Sequence, residues 1–480
     1  MKIVLSINSN DVMPYLVPAI SMSPLTLYHA KALAFLSPNF TRGSLRYVEN
    51  VTGALIDGIS RAAPEQLEEM RIACAQVVLC VSQECVHTFV NVLEETSTTS
   101  KNPAVRGAVA HLISSFTANT RTNFESHVPL LLPILLRLFI EEGELLQAAW
   151  DAMDAMMKSL PESVAKHTPF VRSVIGDISF DHYDLKKRTH VNGFCLKKGI
   201  APLLGMFQHG LMHGSAAMRV DAADGLSDLI TLTNEAALAP FVIKITGPLI
   251  RIVGDRFPSE VKAAILNMLY LLIVKCAKPL NPFLPQLQTT FIRALSDPSA
   301  LVRSRGGLAL AELIVEVKRA TTVLGELSST VSSDVNPAIK TSCLQAMVGV
   351  ATNKAIAGGL APETVLKCVQ LGEAYLGNDK ESVRRESARL IVVNTANLAD
   401  ADFDGLISVK LLRRPASNYR EQDGVLLALQ AVKHTVDVGA RIEQSEEWKT
   451  AREYNSHCRR IWLQKRFAIK LKYVEIRLQI

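Results

Sequence analysis

Apolar residues return along this chain every three to four positions, over and over. Between 256 and 276, Val261, Ile265, Met268, Leu272 and Cys276 form one such stripe. Between 296 and 314, Val302, Gly306, Ala309 and Leu313 form another. That spacing is one face of an α-helix, and no alternating strand pattern of useful length appears. Start signals precede the stripes: Pro258 where a first helical turn accepts it, and Asp297-Pro298-Ser299.

The helices recur as a unit. A polar turn, a basic or polar marker and an apolar stripe align at Arg71, Arg106, Gln147, Arg219, Lys262, Arg303, Lys340, Arg384 and Arg420. The markers fall 35 to 44 residues apart, save one step of 72 that contains an insertion near 176 to 200. A second helical segment lies before most markers, as in 282–296. Two helices per ~40 residues is the period of HEAT and armadillo repeats. The expected fold is all-α: an α-solenoid, a superhelical stack of antiparallel helix pairs. Repeats are expected over 1–175 and 201–445, with an inter-repeat insertion at 176–200 and a basic tail at 446–480.

Arg303, Arg305, Gly306 and Gly307 crowd one turn of a helix. An acid six residues before a base recurs at Asp297/Arg303, Asp334/Lys340 and Asp379/Arg385. This predicts a ladder of pairs that sets the stacking register. Each glycine costs ~1 kcal/mol relative to Ala in a helix, and the expected compensation is close approach of a neighbouring helix. Arg305 lies ~200° around the helix from Arg303 and is expected in solvent.

Composition narrows the function. The chain is 48% hydrophobic but only 6% aromatic, which suits packed helices. From Trp448 to Ile480 nine Lys or Arg stand against two Glu, which exceeds the whole chain's formal charge of +6. The basicity therefore belongs to the tail, where bases alternate with aromatics as they would against RNA, a ribosome or a membrane surface, or in a capping helix. The insertion, with Phe180, Tyr183, Phe194 and the bases at 186–188, reads as a solvated excursion, with RNA or protein binding as the alternative. The eight cysteines form no C-x-x-C pair and read as reduced, buried thiols. The longest apolar runs fall short of a membrane span, and the short N-terminal run is no signal peptide. The expected location is cytoplasmic.

Catalytic patterns are absent: no G-x-G-x-x-G, no phosphate loop, no G-x-S-x-G. His209 and His213 would share a helix face, but no Glu or Cys stands near in sequence to complete a metal site. The expectation is no enzyme, no cofactor, no metal and no small-molecule substrate.

Specific stretches carry a resemblance. ITGPLIRIVGDRFPSEVKAAIL (245–266), NPFLPQLQTTFIRAL (281–295), DVMPYLVP (11–18), AAWDAMDAM (148–156) and GFCLKKGI (193–200) together resemble the C-terminal HEAT-repeat region of the general-control translational activator family. The resemblance runs from about residue 10 to about residue 435 and does not extend into the tail. It implies a non-catalytic solenoid that binds the RWD domain of the initiation factor 2 alpha kinase and promotes its activation in amino-acid starvation or ribosome stalling. It implies ribosome contact through a part of such proteins, resembling elongation factor 3, that these residues do not match. Arginine matters to kinase binding in the family, so Arg251 and Arg256 are the candidates here, with Phe257 as a neighbouring aromatic anchor and Lys262 and Arg305 as weaker ones. The competing reading of Arg256 is a local pair with Asp255 or Glu260. The alternative function is a protein-, RNA- or ribosome-binding scaffold without kinase docking. A transport or phosphatase scaffold on similar repeats is a further alternative, against which GPLIRIVGDRF argues.

Overall fold

The computed structural model describes residues 2–395, apart from 40–41, 161–165, 187–189, 254–256, 318, 334–335, 354–355 and 357–358; beyond 395 it describes only Leu398, Arg420, Gly424, Leu427 and Ala428. The basic tail at 446–480, Arg256, Asp334 and the bases Lys187 and Arg188 thus lie outside the described residues.

Every regular element among the described residues is a helix, and the chain divides into two compact units at 283/284. The first holds α1 (Lys2–Ile20), α2 (Leu27–Leu36), α3 (Val48–Arg61), α4 (Leu67–Val78), α5 (Val86–Thr99), α6 (Pro103–Asn119), α7 (Val128–Arg137), α8 (Gly143–Ser159), α9 (Thr168–Lys186), α10 (Ala201–His213), α11 (Ala216–Leu232), α12 (Glu235–Ile252) and α13 (Ser259–Cys276). The second holds α14 (Leu284–Ala294), α15 (Ala300–Val317), α16 (Ala320–Ser332), α17 (Pro337–Thr352), α18 (Pro362–Tyr375) and α19 (Glu381–Thr395).

Local chemistry sets the helix starts. Thr26, Asn102, Ser215, Asn234 and Asn336 each accept a hydrogen bond from a backbone N–H of the first turn. Pro103, Pro202, Pro337 and Pro362 stand in first turns, where their missing N–H costs nothing. The apolar stripes then bury as the periodicity predicts: Val261, Ile265, Met268, Leu272 and Cys276 are all buried, and so are Val302, Gly306, Ala309 and Leu313.

Pairing follows the period. In the first unit α5 packs on α6, α7 on α8, α10 on α11 and α12 on α13, while α2, α4, α6 and α8 touch in succession as one layer. In the second unit α14–α15, α16–α17 and α18–α19 pair, and α15, α17 and α19 form the corresponding layer. Side-chain hydrogen bonds join residues one repeat apart: Lys31 to Glu69, Gln83 to the Asn123 carbonyl, Arg106 to Glu141, Arg303 to Ser342, Gln345 to Glu386 and Tyr375 to the Val331 carbonyl.

The ladder itself differs from the expected acid–base pairs. Arg303 donates through Nη1 to the carbonyl oxygens of Asp297 (2.8 Å) and Pro298 (2.7 Å), and through Nε to Ser342 Oγ (3.0 Å). Arg384 does the same to Asn378 (2.7 Å) and Asp379 (3.2 Å). Arg385 pairs within its own helix with Glu381, and the Asp379 carboxylate meets Arg420 of the following repeat. The reason is geometric: a side chain in the first turn leans toward the helix N-terminus, where the turn's carbonyls lie. Lys340 sits over the Tyr375 ring, 4.8 Å from its centroid. Arg305 is half-buried rather than free in solvent.

The first part of the expected insertion at 176–200 is helical, because α9 begins before it at Thr168 and runs on to Lys186. α9 packs on α7 before it and α11 after it, with Val171, Val174, Ile175 and Ile178 buried. Arg172 on α9 reaches Asp221 (3.2 Å), Asp224 (3.1 Å) and Asp228 (3.7 Å), three acids along one face of α11. Burial, opposed by Arg172 and seconded by Asp224, pushes the Asp228 carboxyl above its ordinary range. Phe194 is buried against Phe139, ring centroids 5.5 Å apart. Cys74, Cys85, Cys276, Cys343 and Cys368 are buried free thiols, while Cys80 is exposed, Cys195 half-buried and Cys458 outside the described residues. Burial pushes Cys74 up to about 12. No helix among the described residues is long and apolar enough to cross a membrane.

Candidate partner-binding surface

The segment 245–266 holds the end of α12 and the start of α13, with 254–256 between them outside the described residues. Asn234 caps α12 by accepting from the Ala237 N–H at 2.9 Å. Leu238, Phe241, Val242, Ile245, Leu249 and Ile252 face inward, which leaves Pro240, Ile243, Lys244 and Arg251 exposed on the other side. Arg251 stands in the last turn, where a cation complements the carbonyl end of the helix.

The candidate residues do not share one environment. Arg251 is exposed. Phe257 is half-buried, with the Arg219 guanidinium carbon 5.0 Å from its ring centroid. Arg219 also donates to the carbonyls of Leu211, Met212 (2.7 Å) and Gly214 (2.9 Å), so it ties the α10–α11 turn to the start of α13. Lys262 is buried, 8% exposed, within the first turns of α13. Arg305 lies on α15 of the second unit. Arg251 and Phe257 therefore stand on either side of the stretch 254–256, which with Arg256 lies outside the described residues, and Lys262 is buried on α13. Exposed arginines and partly buried aromatics are residue types enriched at protein interfaces.

Two of the quoted motifs hold each other. Trp150 Nε1, within 148–156, donates to the Gly199 carbonyl, within 193–200, at 3.2 Å. Asn192 Nδ2 donates to the carbonyls of Ile140 and Glu141, both at 3.1 Å. These contacts are packing between successive repeats. The His209 and His213 rings lie 4.8 Å apart, and no cluster of three metal-ligating side chains occurs among the described residues.

Ile243 and Met212 escape the sequence reading. Both are exposed, 54% and 38%, on α12 and on α10 beside it. The signal was available: each lies off the buried stripe of its own helix.

Tandem antiparallel helix pairs at a period of about 40 residues define a HEAT-repeat α-solenoid. Residues 12–198 match the family described as stalled ribosome sensor GCN1-like, HEAT repeats. The chain is 32% identical over 422 residues to the stalled ribosome sensor GCN1 of Mus musculus, covering 86% of this chain and 15% of that protein. It is 29% identical over 356 residues to the eIF-2-alpha kinase activator GCN1 of Saccharomyces cerevisiae, covering 72% of this chain and 13% of that one. Among solved structures, the Kap95:Nup1 complex aligns over 94% of this chain and 61% of that one, with 12% identity and a TM-score of 0.42. The chain is a GCN1-like HEAT-repeat region. It spans about one seventh of the length of the curated relatives it matches.

Proposed function

We propose that this chain is a non-catalytic docking scaffold in translational control. In this reading it binds the RWD domain of an initiation factor 2 alpha kinase and promotes kinase activation when amino acids are scarce or ribosomes stall. The reading is carried by one observation: similarity over most of the chain to proteins named as a stalled ribosome sensor and as an eIF-2-alpha kinase activator. Two observations support it: Arg251 is exposed in the last turn of α12, and Phe257, just before α13, is half-buried. Arg251 and Arg256 carry the docking in this proposal, and Phe257 supplies the apolar anchor. Lys262 contributes by supporting α13 from within, and Arg305, in the second unit, is a weaker candidate taken by itself. A cytoplasmic location follows from that role. The name of the mouse relative favours a second partner, the ribosome, reached mainly through regions other than this one.

Calorimetric titration of the chain with the RWD domain tests the proposal. Micromolar or tighter binding is expected. It is expected to vanish in the Arg251→Ala, Arg256→Ala double variant with helix content unchanged; Arg251 is exposed, and substitutions of exposed residues alter stability by about 0.5 kcal/mol or less. A wild-type chain that does not bind the domain overturns the reading.

A further inference from the structure

α10 and α12 lie side by side, tied by a hydrogen bond from Gln208 Nε2 to the Lys244 carbonyl at 3.1 Å. Their outward faces share a composition. On α12, Pro240, Ile243, Lys244, Gly247 and Arg251 fall within ~60° of one line along the helix. On α10, Gly205, Gln208 and Met212 follow one another at helical spacing on the side that reaches α12. Gly205 and Gly247 have open space where a side chain would be. Ile243 is 54% exposed and Met212 38%. Two small residues beside two exposed apolar ones make a shallow apolar strip about three helical turns long, ~16 Å from Pro240 to Arg251.

The charge on this strip has one sign. α10 has no acidic residue, and the only one on α12 is Glu235 in its first turn. Lys244 and Arg251 are both exposed along the strip. The exposed apolar residues of α2 and α4 have mixed company: Ile72 on α4 follows Arg71 and stands near Glu68 and Glu69, and Lys31 between Tyr28 and Phe35 on α2 is already held by Glu69. Apolar surface whose own two helices carry only cations along it fits an apolar helix stripe flanked by carboxylates.

We propose that the shared face of α10 and α12 is a docking surface for an amphipathic helix of a partner protein, apolar on one side and lined with Asp or Glu. The proposal rests on the docking reading above and deepens it by naming the surface and the partner's chemistry. Ile243 and Met212 take the apolar stripe, Gly205 and Gly247 let the two backbones approach, and Lys244 and Arg251 meet the carboxylates.

The test uses the full chain and a fluorescein-labelled peptide of about 16 residues, with Leu at helical a/d spacing and Glu on the flanks. Its controls are the same peptide with Lys in place of Glu and an unstructured RNA oligonucleotide. Anisotropy is expected to show saturable binding of the acidic peptide, weakened by salt, and none of the Lys version. Gly205→Leu fills open space in a helix interior and keeps the fold; Ile243→Asp places an acid at the centre. Each is expected to weaken the peptide about tenfold or more, while Ile72→Asp on α4 leaves it unchanged. Binding indifferent to Gly205→Leu and Ile243→Asp overturns the proposal. So does binding of the RNA with none of the acidic peptide. The same variants are titrated with the RWD domain. If the domain binds wild type and both variants alike, kinase docking stands and this surface falls. If the peptide binds at the strip and the domain does not bind at all, the surface stands and kinase docking falls.

Discussion

Gly306 and Gly307 look alike in sequence and differ in the structure. A Cβ on Gly306 would lie 2.7 Å from the Ala294 Cβ on α14, closer than carbon atoms pack. On Gly307 it would meet Leu295 at 3.5 Å and Ala346 at 3.8 Å, ordinary contact distances. Gly306→Ala is therefore expected to destabilise by about 1–3 kcal/mol through overpacking, and Gly307→Ala to stabilise by up to about 1 kcal/mol through helix propensity. Urea denaturation of the two variants checks both signs. The sequence predicted close approach for the pair, but only the neighbour's position shows which glycine needs it. Arg303 has the same history. Its importance was legible from its recurrence, whereas its partners were not, because backbone carbonyls leave no mark in a side-chain pattern. The histidines add a pH dependence at this scale. Burial lowers His111, His127, His167 and His190 below the ordinary 6.5. The unfolded chain then takes up protons near 6.5 that the folded chain refuses until lower pH. Stability is present above 6.5 and lost as pH falls. The urea midpoint is expected to drop between about pH 7.5 and about pH 5.5, and His111→Gln is expected to flatten part of that slope.

α9 is the element the periodicity passed over. Its buried residues Val171, Val174, Ile175 and Ile178 are at helical spacing, yet the charged and aromatic run that follows them reads as an excursion. The long step between markers holds an added helix, and Arg172 on it does the work of a marker by binding the acids of the next helix. Removing that guanidinium leaves Asp221, Asp224 and Asp228 facing one another. Arg172→Ala is expected to cost about 1 kcal/mol at neutral pH, a modest value because all four side chains are about a third or more exposed. The sign with pH follows from Asp228, whose carboxyl already lies above its ordinary 3.8. Its contribution is lost as pH rises through the folded value, more so without Arg172, so the variant is expected to recover toward wild type as pH falls. Thermal melts from pH 7 to pH 4, with and without added salt, check this. On α12, by contrast, the inward stripe was legible from spacing, and the exposed Ile243 was legible only as a departure from it.

Across the molecule the repeat period was the most readable feature, since packing of successive pairs imposes it on every stripe. Hydrogen bonds between residues about 40 apart recur in both units, so stability is spread over neighbour-to-neighbour contacts. A docking surface has no such imprint. Arg251 was a candidate only through the family resemblance; its exposure, which depends on which helix lies beside it, is read from the structure. Hydrogen–deuterium exchange of the full chain, alone and with the RWD domain, tests the central claim most directly. The account predicts added protection in the outer part of α12 and the first turns of α13, within 240–266, and little change on α2 to α6. Protection confined to other helices, or none with the domain in excess, would contradict it.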